Sequence, residues 1–124
     1  MDVGYNRATQ GGDRRVAAFV RDGRIKHLRK GGMILGPNPD AKYERGFVSF
    51  RRGSHLVLYT DGITEAARPG TDDLYGAARL GALCKKLSGK TAREIGEAVF
   101  DAAHDWSKGA PLQDDRTVVV LRRP

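Results

Sequence analysis

The sequence has one cysteine, Cys84, so no disulfide can close within the chain. A reducing compartment such as the cytoplasm is the simplest setting for it. No apolar run approaches the roughly 20 residues needed to span a bilayer. The opening stretch MDVGYNRATQGG lacks the apolar segment of a secretory signal. Aromatic residues make up only 7% of the chain, and none interleaves with the basic pairs Arg14-Arg15, Arg51-Arg52, Lys85-Lys86 and Arg122-Arg123. A stacking platform for single-stranded nucleic acid is therefore missing. The three histidines, His27, His55 and His104, have no metal-ligand spacing. GGMILG is followed by no Lys-Ser/Thr and so reads as a turn, not a phosphate loop. Cys84 opens a C-x5-K sequence ending at Lys90, whereas a cysteine phosphatase needs arginine there. It also lies on an apolar helical stripe, where a free cysteine packs as a small hydrophobe.

The chain of 124 residues is long enough for one domain with a real core. Its net charge is +7 and unevenly placed: residues 1–60 hold 12 Lys/Arg against 5 Asp/Glu, and residues 61–124 hold 10 against 10. The basic first half reads as a solvated surface or as a face for an acidic or phosphate-bearing partner, nucleic acid being the weaker option.

Val16–Val20 and Arg24–Leu28 flank Asp22-Gly23, which predicts a hairpin, because a two-residue type I′ turn needs positive φ and glycine accepts it without strain. Gly31 to Pro39 is a turn-rich loop. Phe47–Phe50 and Leu56–Tyr59 read as a second strand pair joined through Arg-Gly-Ser. The run Leu56-Val57-Leu58-Tyr59 does not alternate, which predicts cover on both faces. Leu74, Ala77, Leu80, Cys84 and Leu87 recur at helical steps. Thr91-Ala-Arg-Glu94 is a capping box, and Ile95, Val99, Ala102 and Trp106 form the apolar stripe of the helix it starts. Thr117–Leu121 reads as a last buried strand. Four strands, two helices and a strand make an α+β order.

The acids at the strand tips raise the question of function. Asp61-Gly62 closes the strand 56–60, and Asp114-Asp115 opens the strand 117–121. If those two strands are antiparallel neighbours, Asp61 and Asp114 meet at one sheet end. Converging carboxylates repel unless a cation lies between them. Oxygen ligands without His or Cys suit Mg²⁺ or Mn²⁺. Each motif alone is also an ordinary turn or cap.

Taken in order, LVLYTDGITEA, DLYGAARL and QDDRTVVVLR resemble the metal-dependent (PPM-type) protein serine/threonine phosphatases, in their bacterial stage II sporulation protein E (SpoIIE)-like branch. The resemblance runs from the 16–28 hairpin to the C-terminus. It implies a two-sheet β-sandwich flanked by helices, with residues 1–124 as the C-terminal portion of one such domain. It further implies hydrolysis of phosphoserine or phosphothreonine at a two-metal Mn²⁺ or Mg²⁺ site. Asp61 and Asp114 match family metal ligands. Asp115 matches a neighbour of that site, and Gly62 and Thr117 match structural positions. Glu65 matches a frequent family acid with no assigned role. By resemblance the substrate is a phosphoprotein such as an anti-sigma-factor antagonist. The family's upstream Gly-Asp and Gly-His-Gly motifs have no counterpart here, and YNRATQGG stands where Asn-Ala-Gly-His is frequent. The expectation is a half-domain that is inactive alone, that completes its site with an upstream half and that can self-associate. The alternatives are a non-catalytic interaction module and, more weakly, a basic nucleic-acid-binding domain.

Overall fold

The computed structural model describes residues 2–8, 13–31, 43–110 and 115–124. Asp114 and most of the turn-rich stretch before residue 43 lie outside them. Two antiparallel sheets are present. The smaller pairs β1 (Asp2–Ala8) with β4 (Tyr43–Ser49), in register from Asp2 opposite Ser49 to Ala8 opposite Tyr43. The larger contains β2 (Asp13–Arg21), β3 (Arg24–Gly31), β5 (His55–Tyr59) and β6 (Val118–Arg122), in the order β3-β2-β5-β6. Strand β1, in the N-terminal stretch, carries no signal that sequence reading had singled out.

The β2–β3 hairpin turns at Asp22 and Gly23, both at positive φ (51° and 70°), as a type I′ turn requires. Residues 47–50 and 56–59 do not pair with each other. β4 belongs to the small sheet, and β5 inserts between β2 and β6. The chain changes sheet through Arg51–Ser54, with Gly53 at φ 82°. A strand–turn–strand pattern cannot distinguish this switch from a hairpin, because both need the same turn chemistry. What decides is packing between the sheets: Val48 and Phe50 lie against Ala17, Phe19, Leu28 and Leu56 in one buried cluster.

The other face of the large sheet carries the main core. Ala18, Val20, Val57 and Tyr59 pack against α2 (Gly76–Lys86) and α3 (Ala92–Trp106) through Leu80, Cys84, Ile95, Val99 and Ala103. Full burial of an aliphatic side chain of this size contributes about 1.5–3 kcal/mol. Helix α3 starts at the expected box: Glu94 N–H donates to Thr91 Oγ1 (3.2 Å), and Thr91 N–H donates to Glu94 Oε1 (3.3 Å). Helix α2 starts two residues later than Leu74. Leu74 is 43% exposed and bridges Ala67 in a short antiparallel contact. Trp106 packs at the rim of the core. Its Nε1–H donates to Asp73 O (2.8 Å), and the Arg68 and Arg79 guanidiniums lie 4.0 and 4.2 Å from its ring centre. Cys84 is buried, and desolvation pushes its thiol up to about 12, so it stays protonated as a core residue.

Two expectations of burial are corrected. Leu58 is 38% exposed, and in β6 Val119 and Leu121 are 50% and 46% exposed. Leu58 lies opposite Val119, and Leu56 opposite Leu121. The small sheet covers the β2 side of this face, and β6 is the outer strand among the described residues, so its apolar run is covered on the helix side alone, where Val118 and Val120 are half-buried. Among the described residues no helix is long and apolar enough to cross a membrane.

Candidate functional site

At its C-terminal tip β5 passes into a single helical turn, α1 (Asp61–Thr64), capped by Thr60 in an extended conformation. The apolar strand residues demand burial. The polar Asp-Gly that follows Thr60 turns the chain. The neighbouring tip belongs to the segment before β6. Strands β5 and β6 are antiparallel neighbours as anticipated, Tyr59 lying opposite Val118. The pairing continues one residue further, with Thr60 N–H donating to Thr117 O (3.1 Å).

Three contacts fasten the two tips together. Thr60 Oγ1 donates to Asp115 O (3.1 Å) and accepts from Thr117 N–H (3.0 Å), so one hydroxyl serves two backbone groups of the opposite segment. Gly62 is buried, and a Cβ there would run into the carbonyl oxygen of Asp115, so only glycine allows this approach. Arg116 donates through Nε to Gly62 O (3.0 Å) and through a terminal nitrogen to Ser107 Oγ (3.4 Å). Ser107, buried at the end of α3, donates in turn to a carbonyl of the last turn, Ala103 O (3.1 Å). The guanidinium thus ties the Asp61-Gly62 turn to the end of α3. Asp61 itself is half-buried, with its carbonyl oxygen accepting from Glu65 N–H (2.7 Å).

Of the anticipated site residues, Asp61, Gly62 and Asp115 lie at this one sheet end, and Asp114 lies outside the described residues. Thr117 takes part through its backbone, and Glu65 is exposed. Sequence reading missed Thr60, Arg116 and Ser107, whose roles depend on partners 9 to 57 positions away. The only sequence signal for Arg116 is its place directly after the acid pair. Carboxylate oxygens suit a hard divalent cation. Among the described residues, however, no group of three or more His, Cys, Asp or Glu is placed to hold a metal ion, so they make at most part of such a site.

Residues 9–124 match the family described as Stage II sporulation protein E (SpoIIE). No curated protein matches the chain. Solved structures of similar fold include the SiaA-PP2C domain of Pseudomonas aeruginosa, at 20% identity and TM-score 0.74, over 90% of this chain and 44% of that one. The phosphatase domain of SpoIIE from Bacillus subtilis with a fragment of its regulatory domain is 19% identical with TM-score 0.74, over 98% of this chain and 34% of that one. PppA, a regulatory component of T6SS in Pseudomonas aeruginosa, is 13% identical with TM-score 0.62, over 98% of this chain and 52% of that one. The chain therefore spans about half or less of the length of each, and the likeness shows a shared fold: an α+β sandwich of antiparallel sheets with helices. With the family match covering nearly the whole sequence, this chain belongs to the Stage II sporulation protein E (SpoIIE) family, whose structural neighbours are phosphatase domains.

Proposed function

We infer that residues 1–124 are one portion of a metal-dependent protein serine/threonine phosphatase domain. In this reading Asp61 and Asp114 are metal ligands, Asp115 stands beside them, and Gly62 admits the close approach of the two strand tips. The observation that supports it is the double clamp at this sheet end, Thr60 Oγ1 between Asp115 O and Thr117 N–H and Arg116 on Gly62 O. Such a clamp fixes the turn that bears Asp61 against the segment that bears the acid pair, as a metal site requires. Bound Mn²⁺ or Mg²⁺ would supply Lewis acidity toward phosphoryl oxygens and a more acidic bound water. The substrate class is phosphoserine or phosphothreonine on a small bacterial regulatory protein of the anti-sigma-factor-antagonist kind, acted on in the cytoplasm.

Asp61 and Asp114 are too few ligands for two cations, so residues 1–124 alone are expected to turn over a phosphoserine peptide near background. A chain extended upstream of Met1 from its coding sequence, assayed with Mn²⁺, is expected to be active. Asp61→Asn in that longer chain is expected to lower the rate more than about 100-fold, the upper end of the loss seen even for outer-shell metal partners. Full activity of the longer chain after Asp61→Asn overturns the site assignment. Robust metal-dependent turnover by residues 1–124 alone overturns the partial-site reading. A second reading, a non-catalytic interaction module, draws on the exposed Leu58, Val119 and Leu121. An extended chain that is inactive yet captures a phosphoprotein would favour it.

A further inference from the structure

The large sheet has two chemically different ends. At one lie Asp61 and Asp115. The other, about 16 Å away along five-residue β5, is basic. Val20 lies opposite His55, and His55 opposite Arg122, so the β2–β3 hairpin tip, the start of β5 and the end of β6 share one edge of the molecule. The β4–β5 turn joins them: Arg123 pairs with Gly53 and Ser54 through its backbone and donates from its guanidinium to Phe50 O (3.0 Å). Arg21 donates to Ser49 O (3.3 Å). Arg21, Arg24, Lys26, Arg51, Arg52 and Arg123 are thus gathered at this end. Among the described residues the ion pair here is Arg21 with Asp22, at 3.7 Å.

A cavity of about 560 Å³ opens at the hairpin, lined by Arg21, Arg24 and Lys26 with Phe19, Ile25 and Asp22. Arg24, Lys26, Arg51 and Arg52 are exposed. Gathering like charges costs free energy that an opposite charge recovers, and such a patch raises the local concentration of an anionic partner. Phe19 and Phe50 are 5% and 3% exposed, so these rings offer no stacking platform to a nucleic acid. A concave surface that bears Arg21, Arg24 and Lys26 beside Asp22 fits a few residues of polypeptide that carry carboxylates.

We propose that the basic sheet end, centred on the cavity at the β2–β3 hairpin, is a docking surface for an acidic polypeptide segment, distinct from the Asp61 end. Its position leaves the Asp61 end open, so an acidic protein can be held here while another part of it reaches the opposite end of the sheet. Binding at this surface does not depend on the phosphatase reading.

The test is fluorescence anisotropy on residues 1–124 with a labelled Asp/Glu-rich 12-residue peptide, its Asn/Gln counterpart and a 12-nucleotide single-stranded DNA. The acidic peptide is expected to bind, and its Asn/Gln counterpart to bind at least about tenfold more weakly. Raising salt from about 50 to about 300 mM is expected to weaken binding about tenfold, because exposed charges are screened beyond a Debye length. Arg24→Glu/Lys26→Glu and, separately, Arg51→Glu/Arg52→Glu are each expected to weaken it about tenfold with unchanged thermal unfolding. Lys108→Glu, next to Ser107 and so at the opposite, Asp61 end of the sheet, is the control for net charge and is expected to leave it nearly unchanged. The proposal is overturned if the peptide does not bind, if the Lys108 control loses as much affinity as the hairpin and turn variants, or if the DNA binds more tightly than the peptide at the same cations.

Discussion

Arg116 is a short-range fastener with long-range partners. Its guanidinium satisfies the carbonyl of a buried glycine, and hydrogen bonds to a charged group are worth about 1.5–3 kcal/mol. Arg116→Ala is expected to lower stability by about that amount and to loosen the Asp61 turn, seen as faster amide exchange at Ile63 and Glu65 than in the parent chain. Gly62→Ala should cost about 1–3 kcal/mol, because the new methyl meets backbone and not a flexible side chain. His55 supplies a pH effect. It is buried, its Nε2 lies 2.9 Å from Cys84 O, and desolvation is the main cause that lowers its pKa. The carbonyl of Cys84 partly offsets this, and nearby Arg122 adds to it. A histidine held neutral in the fold binds more protons when unfolded. Its stabilising contribution is therefore full above the ordinary imidazole value of 6.5 and is lost as pH falls through the lower folded value. The melting temperature is expected to drop between about pH 7 and about pH 5, and His55→Gln is expected to flatten that part of the profile.

Among the elements, α2 shows a close approach that its sequence conceals. A glycine inside a helix costs about 1 kcal/mol relative to alanine, so Gly81→Ala would be expected to stabilise on propensity alone. Here a Cβ at position 81 would lie 2.8 Å from the His27 ring and 2.9 Å from Ile25 Cδ1. The helix rests against β3 at that point, and alanine makes the half-buried ends of these two side chains give way. Gly81→Ala is therefore expected to lower the urea midpoint, at an overpacking cost of about 1–3 kcal/mol that exceeds the propensity gain.

At the scale of the whole molecule, the uncovered face decides behaviour in solution. Leu58, Val119 and Leu121 continue the layer in which the two sheets meet, and β6 has no neighbour on its outer side among the described strands. Apolar residues beside an unpaired edge recruit another chain. Residues 1–124 are expected to form dimers or larger species that grow with concentration in light scattering. Val119→Lys with Leu121→Glu should shift them to monomer without loss of helix content. A monomer at all concentrations in the parent chain would show that this face needs no cover.

Local chemistry alone made much of this chain legible. Asp22-Gly23 dictates the hairpin, because its two positive-φ positions suit one turn type. Thr91 and Glu94 dictate the start of α3, because each satisfies the other's backbone donor. The three ordered motifs carry the family resemblance and single out Asp61 and the acid pair as candidates, the antiparallel pairing of the two strands being a condition that the structure then meets. Tertiary structure alone decided which strands share a sheet. β4 left its sequence neighbour for β1, and β1 gave no pattern of its own, because every strand offers the same backbone donors and acceptors and only packing between the sheets selects among them. It also decided that Val119 and Leu121 are exposed and that Arg116 reaches Gly62, 54 positions away. Turn and cap preferences are set by residues within a few positions, whereas burial and long-range hydrogen bonds depend on what the rest of the chain brings to the same place.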